Sequence, residues 1–205
     1  KEIQLIVLDV DGVLTDGTIS ISSSGEETKS FCVEDGTGVA LARYGNIKLA
    51  LLSGRYSKAT SIRAKELQIN NCIQGFLNKR DKIIELCEKL NVPLEHVAYV
   101  GDGLVDIPVL EIVGCPISVP NAHKAVREHS AYVTNTEGGK GVLYEVVELI
   151  LFAKEKKVNI AIQKFCKNKR GRNPVKEVSW DKFFKDIKEL EKETRHNLTQ
   201  EIGKI

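Results

Sequence analysis

The chain has 205 residues and a formal net charge of +2, and this length suits one domain with a substantial core plus an appendage. No apolar run reaches the length of a membrane span and no secretory signal is recognisable, so we predict a cytoplasmic protein with no membrane partner. The five cysteines form no C-x-x-C pair, which favours free thiols in a reducing compartment over disulfides or a zinc site.

The first predicted element is a mostly aliphatic strand that ends abruptly in two carboxylates. Residues 3–8 are Ile-Gln-Leu-Ile-Val-Leu, and Asp9, Asp11 and Gly12 follow directly. Such a run is typical of a buried strand in a parallel sheet. Because side chains two apart on an extended chain project to the same side, Asp9 and Asp11 are predicted to converge on one point. Gly12 then permits a sharp turn that brings the backbone close to a ligand.

A segment of alternating polar and apolar residues follows and predicts a β-hairpin at about residues 18–33. Its two arms, Thr18–Ile21 and Glu27–Val33, flank a Ser/Gly turn at residues 22–25. Serine and glycine in this position are typical of a tight turn between two strands. We therefore expect a short hairpin that projects from the main sheet.

From residue 37 to about residue 156, two kinds of apolar pattern alternate along the chain. Short runs typical of strands lie at residues 47–52, 72–74, 97–100, 116–119 and 131–134. Helical patterns lie at about residues 37–44, 58–67, 81–90 and 142–156, with shorter helices between the last three strands. Strands that alternate with helices at this spacing predict a doubly wound, Rossmann-like parallel α/β sheet.

The last part of the chain breaks this alternation and differs in charge. Residues 1–150 carry 15 Lys and Arg against 20 Asp and Glu, whereas residues 151–205 carry 15 against 8. We predict a main domain at 1–157, followed at 158–205 by a basic linker and an amphipathic helix. This tail has no recognisable nucleic-acid motif, so we expect a solvated or subunit-bridging segment and no nucleic-acid partner.

Charged and polar residues follow four of the predicted strands, at the point where each strand ends. They are Asp9 and Asp11, then Ser53-Gly54-Arg55, then Lys79, and finally Asp102 with Asp106 four residues later. Ligands of open α/β sheets bind beyond the carboxyl ends of the strands, so these residues are predicted to surround one pocket. Carboxylates suit a hard divalent cation, and lysine and hydroxyl groups suit phosphate oxygens, which predicts metal-assisted phosphoryl chemistry.

These residues resemble the motifs of the haloacid dehalogenase (HAD) superfamily of phosphatases. Asp9-Val10-Asp11-Gly12-Val13 resembles its first motif, Ser53 the second, Lys79 the third, and Gly101-Asp102-Gly103-Leu104-Val105-Asp106 the fourth. The resemblance covers residues 3 to about 153. The chain resembles one branch more specifically, the 3-deoxy-D-manno-octulosonate 8-phosphate (KDO 8-phosphate) phosphatases and their sialic-acid-type relatives. Further segments that resemble this branch are Gly25–Glu27, Asp35–Gly38, Gln74-Gly75, Tyr99–Asp102 and Gly138–Gly141.

The resemblance implies a Mg²⁺-dependent phosphatase of a phosphorylated sugar acid, with the hairpin in place of a cap domain. Asp9 would be the nucleophile that forms an aspartyl-phosphate. Asp11 would act first as general acid and then as general base. Mg²⁺ would be held by Asp9, by Asp102 and by the backbone carbonyl of Asp11. Asp106 would be either a further ligand or a residue that orients the ligands.

Substrate binding is assigned, through the same resemblance, to Ser53, Gly54, Arg55 and Lys79. Lys79, Ser53 and the loop amides would bind the phosphoryl oxygens on which charge accumulates. Arg55 would contact a carboxylate or phosphate of the substrate. Ser53 has a second interpretation as a helix cap.

Two positions depart from the branch, and two further functions stay open. Gly103 stands where a second aspartate is usual and Lys140 where arginine is common, so metal affinity or substrate preference is expected to differ. The alternatives are a phosphatase of a sialic-acid-type 9-phosphate and an oligomerisation domain of a larger cytidylyltransferase. The chain begins at Lys1 and has no methionine, so we expect that residues precede it. A receiver-type phosphoacceptor domain is disfavoured, because its paired acids are adjacent.

The resemblance also implies an oligomer. No insertion between the motifs is large enough to form a lid, and relatives pack as tetramers in which a neighbour's hairpin closes the pocket. Ile19, Ile21, Phe31 and Val33 give the predicted hairpin an apolar face that could pack between subunits. We therefore predict a homotetramer with the hairpins at its centre.

Overall fold

The computed structural model describes residues 2–154, and a parallel β-sheet lies at their centre. The strands are β1 (Leu5–Leu8), β2 (Ser20–Ile21), β3 (Glu27–Thr28), β4 (Lys48–Ser53), β5 (Asn71–Gln74), β6 (Val97–Gly101), β7 (Cys115–Ser118) and β8 (Tyr132–Val133). Six of them form one sheet in the order β5-β4-β1-β6-β7-β8, with every neighbouring pair parallel. Strands β2 and β3 pair antiparallel as a separate hairpin.

Helices connect the strands of the large sheet. They are α1 (Glu34–Tyr44), α2 (Lys58–Glu66), α3 (Lys79–Leu90), α4 (Ile107–Leu110), α5 (Lys124–Glu128) and α6 (Val142–Ala153), with 3₁₀ turns at Leu94–His96 and Leu104–Asp106. This alternation confirms the predicted doubly wound α/β fold with a short hairpin insert. Within residues 2–154, no helix combines the length and the apolarity that crossing a membrane requires.

Strand β1 is fully buried within the sheet, and its register positions the site. All four of its residues are fully buried, because β4 and β6 flank it and helices cover the sheet. Leu8 lies opposite Leu51 of β4 and Val100 of β6. The amide of Asp9 extends this ladder by donating to the carbonyl of Val100 over 2.9 Å. Asp9 therefore emerges between the ends of two neighbouring strands.

Helices α1 and α6 pack closely against each other. At Gly38 of α1 an added Cβ would lie 2.8 Å from the amide nitrogen of Tyr144, so only glycine permits this approach. The Asp35 carboxylate accepts a hydrogen bond from the amide of Leu143 over 3.1 Å. Asp35 thereby caps the first turn of α6, where the unpaired amides of a helix need acceptors.

Three predicted boundaries differ from the structure. The hairpin strands have two residues each, because they project away from the core and little burial extends their pairing. Helix α1 begins at Glu34 instead of residue 37, since its acidic first turn suits the positive end of a helix. Helix α3 begins at Lys79, after Asn78 accepts from the amide of Asp81. The predicted boundary at 157, the basic linker and the helix at about 180–198 lie outside the described residues.

Candidate active site

A buried ion-paired cluster lies at the carboxyl ends of β1 and β6. The Nζ atom of Lys79 is 2.8 Å from Oδ2 of Asp9 and 2.7 Å from Oδ1 of Asp106. Asp9 follows β1 directly, Asp106 ends the 3₁₀ turn after β6, and Lys79 is the first residue of α3. All three side chains are buried. One ammonium group therefore bridges two carboxylates that come from different loops.

Asp106 has both of its carboxylate oxygens occupied by protein donors. Its Oδ1 accepts from Lys79 and, over 2.6 Å, from the hydroxyl of the fully buried Tyr99. Its Oδ2 accepts from the amides of Asp102 and Gly103 over 3.0 and 2.9 Å. A carboxylate with this set of donors has little remaining capacity to bind a cation. Its position suits an orienting role, in which it holds the 3₁₀ turn and Lys79 in place.

Asp9, Asp102 and Asp106 each place a carboxylate oxygen within 4.8 Å of the others. Carboxylates at this spacing are the hard oxygen ligands that Mg²⁺ prefers. Since Asp106 is occupied by donors, Asp9 and Asp102 are the side chains that fit a metal. The backbone also fits: at Gly12, which has φ +90°, an added Cβ would lie 2.0 Å from Oδ2 of Asp102. Only glycine lets the turn after Asp11 approach Asp102 so closely.

Burial shifts the pKa values of this cluster. It raises the pKa of Asp9 to about 7, against the opposing effect of the nearby Lys79 ammonium. It also raises the pKa of Asp102 to about 6, and the neighbouring Asp106 adds to this. For Lys79, burial acts to lower the pKa, but Asp9 and Asp106 outweigh it, so the pKa lies above its ordinary value and the ammonium is charged. Buried carboxylates therefore lie close together, and a bound cation would reduce the repulsion between their negative charges.

The Asp11 carboxylate has a partner of its own, outside the group of Asp9, Lys79 and Asp106. Its Oδ1 forms an ion pair with Nζ of Lys29, in the chain segment that leaves β3. Its side chain retains 23% of its exposure, whereas that of Lys29 is fully buried. The two aspartates of the first motif thus have different partners: Lys79 holds Asp9, and the hairpin segment holds Asp11.

The segment Ser53-Gly54-Arg55 reaches the site through its backbone and through Arg55. The Ser53 hydroxyl is buried and donates to the carbonyl of Arg55 over 2.9 Å. An added Cβ at Gly54 would lie 3.8 Å from Cε of Lys79, which places this loop against the lysine. Arg55 extends toward the hairpin, where its Nη2 lies 2.6 Å from Oε2 of Glu27. The helix cap is Ser57 instead of Ser53, because Ser57 accepts from the amide of Thr60.

The structure adds contacts to the site that the sequence did not predict. Lys29 contacts Asp11, and Tyr99 contacts Asp106. Asn121 donates to the carbonyl of Gly12 over 3.1 Å and accepts from the amide of Gly138 over 2.8 Å. Asn121 thereby joins the loop after β1 to the glycine-rich loop before α6. Tyr99, a polar residue inside the apolar strand β6, was a usable signal. The contacts of Lys29 and Asn121 connect distant parts of the chain and leave no local pattern.

Comparisons with known proteins agree with this geometry. The family model described as haloacid dehalogenase-like hydrolase matches residues 49–146. The chain is 44% identical over 156 residues to a KDO 8-phosphate phosphatase of Salmonella typhi, which covers 76% of this chain and 83% of that protein. It is 43% identical over 156 residues to the Escherichia coli K12 phosphatase of the same name, at the same coverages.

Solved structures show the same similarity. The KDO 8-phosphate phosphatase of Moraxella catarrhalis, in complex with a magnesium ion, a phosphate ion and KDO, is 42% identical. It superposes with a TM-score of 0.76 over 80% of this chain and 93% of that one. The cobalt-bound phosphatase of Haemophilus influenzae is 36% identical, with a TM-score of 0.73 over 76% and 91% of the two chains.

Identity at this level extends over most of the relatives' length and accompanies the same fold. The predicted membership and enzyme class are thereby confirmed: the protein is a phosphoric monoester hydrolase of the HAD type. The chain belongs to the haloacid dehalogenase-like hydrolases, in the branch of the 3-deoxy-D-manno-octulosonate 8-phosphate phosphatases.

Proposed function

We propose that this phosphatase hydrolyses KDO 8-phosphate, or a sugar-acid phosphate of very similar structure, with Mg²⁺ and through an aspartyl-phosphate on Asp9. The observation that carries the proposal is the placement of Lys79 between Asp9 and Asp106, with Asp102 beside them. The Moraxella relative binds magnesium, phosphate and KDO. A buried cation next to a carboxylate nucleophile suits attack on an anionic phosphoryl group.

Asp9 is the residue that attacks phosphorus. Its Oδ1 accepts from the amide of Val10 over 2.7 Å, and its Oδ2 faces Lys79. These contacts fix the orientation of the carboxylate and favour its ionised form against the effect of burial. Attack by a carboxylate oxygen forms the aspartyl-phosphate bond and breaks the ester bond to the sugar oxygen. Lys79 then lies where negative charge accumulates on the phosphoryl oxygens.

Asp11 is the residue that moves protons. In the first step it gives a proton to the departing sugar oxygen, and in the second it takes one from the water that hydrolyses the aspartyl-phosphate. Its partial exposure gives it access to both the leaving group and water. The deeper position of Asp9 keeps the nucleophile away from bulk solvent.

The donor set fits Mg²⁺, which would be held by the carboxylates of Asp9 and Asp102 and by the backbone carbonyl of Asp11. When bound, Mg²⁺ would neutralise charge on the phosphoryl oxygens. Asp106 orients Lys79 and the loop that carries Asp102, and its occupied oxygens favour this role over direct ligation.

The proposal includes a homotetramer with the hairpins at its centre. Ile21 and Val33 are 65% and 83% exposed, and Ile19 is 38% exposed. Phe31 does not join this face, because it packs against the core. Three exposed aliphatic side chains within one short segment suit contact with another subunit.

Release of phosphate from KDO 8-phosphate, with Mg²⁺ and with a chelator, tests the proposal. We expect activity that requires the metal and that Asp9→Asn abolishes, because the amide keeps the shape and removes the anionic nucleophile. Asp16→Asn is the matched control, since it makes the same change at an exposed acid of the same loop. A higher kcat/KM for a sialic-acid 9-phosphate than for KDO 8-phosphate would show that the sialic-acid phosphate is the preferred substrate. An Asp9→Asn variant with near wild-type activity would overturn the mechanism.

A further inference from the structure

Lys29 has an unusual position for a lysine next to a short hairpin. It follows β3, whose two residues are partly or fully exposed, yet its own side chain is completely buried. A lysine is seldom buried without a partner for its charge. Its ammonium group points at Oδ1 of Asp11, and Oε1 of Glu27 lies 3.8 Å away. Two carboxylates thus compensate the burial of one charge.

Glu27 links this ion pair to the loop after β4. Its Oε2 lies 2.6 Å from Nη2 of Arg55, and its Oε1 accepts from the hydroxyl of Ser57 over 2.6 Å. The hydrogen bond from Ser57 lowers the pKa of Glu27, which keeps this group ionised. Acidic and basic side chains therefore alternate from Asp11 through Lys29 and Glu27 to Arg55. These ion pairs connect the hairpin to the loop after β1 and to the loop after β4.

Among residues 2–154, Lys29 is the contact that restrains the carboxylate of Asp11. Asp9 has Lys79 and a backbone amide, and Asp106 has four donors, whereas Asp11 relies on one side chain from outside the sheet. An acid that must transfer a proton to a leaving oxygen needs a fixed rotamer. Without Lys29, the exposed carboxylate is free to rotate toward solvent.

We propose that Lys29 is a positioning residue that holds the Asp11 carboxyl for proton transfer to the leaving group. This inference rests on the proposed function, in which Asp11 is the acid. Lys29 acts through Asp11 and not on the phosphoryl group, which Lys79 serves. The hairpin therefore contributes to chemistry inside its own subunit, in addition to any contact it makes with a neighbour.

The test compares two leaving groups, because a good one departs without protonation. We expect Lys29→Met to lower kcat/KM for KDO 8-phosphate, an alkyl ester, by about 10–100-fold, the usual cost of removing an orienting partner. For p-nitrophenyl phosphate we expect a change of a few-fold at most, since proton donation matters little there. The ratio kcat/KM depends only on the steps up to cleavage of the ester bond. Hydrolysis of the aspartyl-phosphate, which is the same intermediate for both substrates, therefore does not hide the difference between them.

A double variant shows whether Lys29 acts through Asp11. In an Asp11→Asn background, Lys29→Met should cause little further loss for either substrate, because the group that it positions is already absent. Lys65→Met is the matched control: it removes the same charge from an exposed position of α2 and should leave both ratios unchanged. If Lys29→Met does not melt cooperatively, Lys29→Gln, which retains a hydrogen-bond donor, replaces it in the same comparison.

Equal losses for the two substrates, or a full additional loss in the Asp11→Asn background, would overturn the positioning role. The first result would indicate a general structural effect, and the second an action on the substrate itself. A wild-type protein that cleaves p-nitrophenyl phosphate but not KDO 8-phosphate would instead overturn the proposed substrate, and glycerol 3-phosphate would then serve as the alkyl ester for Lys29.

Discussion

The two aspartates of the first motif are held by two differently built regions. The nucleophile region, defined by Asp9, Lys79, Asp102 and Asp106, lies at the ends of buried strands and is held by many short contacts. The hairpin region, residues 18–33, has two-residue strands and exposed aliphatic side chains, and it meets the site mainly through Lys29 and Glu27.

In the proposed mechanism, this difference corresponds to a division of roles between the groups that bind phosphate and the group that moves protons. Groups that bind phosphate must not move as charge develops, so they are built on the most rigid elements of the fold. The group that meets the sugar must admit substrate and water, so it is held by a segment that contributes little to the core. Changes in the nucleophile region should therefore reduce catalysis for every phosphate ester, whereas changes in the hairpin region should depend on the leaving group and on assembly.

The largest effect is expected for Lys79→Met. Loss of the cation should lower kcat by about 10²–10³-fold for aryl and alkyl phosphates alike, since it serves the phosphoryl group. The metal-free protein should also lose about 3–5 kcal/mol of unfolding free energy, because the buried carboxylates of Asp9 and Asp106 lose the cation that compensates their charge. Steady-state kinetics and denaturant unfolding measure the two effects. Lys82→Met, at a lysine of the same helix that pairs with Glu85, is the control. A loss restricted to alkyl phosphates would contradict the division.

A smaller effect is expected for Asp106→Asn. The NH₂ group of the new amide must face existing donors, either Lys79 and Tyr99 or the amides of Asp102 and Gly103. Activity should therefore fall by about 10–100-fold. The Mg²⁺ concentration for half-maximal activity should rise less than it does in Asp102→Asn. A metal titration of both variants decides this point. If the two variants need equal increases in Mg²⁺, Asp106 is a ligand.

The hairpin region is tested by Ile21→Asp, which places a charge on an exposed aliphatic position. We expect this variant not to form the proposed homotetramer, because burial of the charge between subunits is costly. The KM for the sugar phosphate should rise by about tenfold if closure by a neighbour contributes about 1.4 kcal/mol to binding. Light scattering beside kinetics measures both. Thr28→Asp, on the opposite arm of the hairpin, shows whether a charge anywhere on the hairpin is enough to prevent assembly. A fully active monomer would refute the tetramer.

The smallest effect concerns Asp35, just beyond the hairpin. Burial raises its pKa to about 6, against the hydrogen bond from the Leu143 amide, and its Oδ2 has no hydrogen-bond partner. The folded state therefore binds this proton more tightly than the unfolded state. The contribution of Asp35 to stability falls as the pH rises from about 4 to about 6 and levels off above that range.

Between pH 7.5 and pH 5, this group should add about 1 kcal/mol to the unfolding free energy as the pH falls. Denaturant unfolding of wild type and Asp35→Asn at the two pH values isolates the contribution, because the shifts of Asp9 and Asp102 are common to both proteins. Identical pH dependence in the two proteins would show that Asp35 keeps an ordinary pKa.

Local sequence patterns determined most of the fold. The aliphatic runs located the strands of the sheet, because a strand buried on both faces needs continuous apolar residues. They also located Asp9, Lys79 and Asp102, since the ends of parallel strands share one edge of the sheet. Element starts were less well predicted: α1 begins at Glu34 and α3 at Lys79, where caps and first-turn charges outweigh the apolar pattern.

Only the tertiary structure decided which polar groups meet. The sequence alone predicted that Asp9 and Asp11 converge on one point, but their side chains have separate partners. Asp9 pairs with Lys79, 70 residues later in the chain, and Asp11 pairs with Lys29, 18 residues later. Tertiary structure also determined three other features. They are the occupied oxygens of Asp106, the contact of Arg55 with Glu27 and the packing of Phe31 against the core. Apolar periodicity is a local property and survives in the sequence, whereas a hydrogen bond between distant loops depends on where the folded sheet brings their ends.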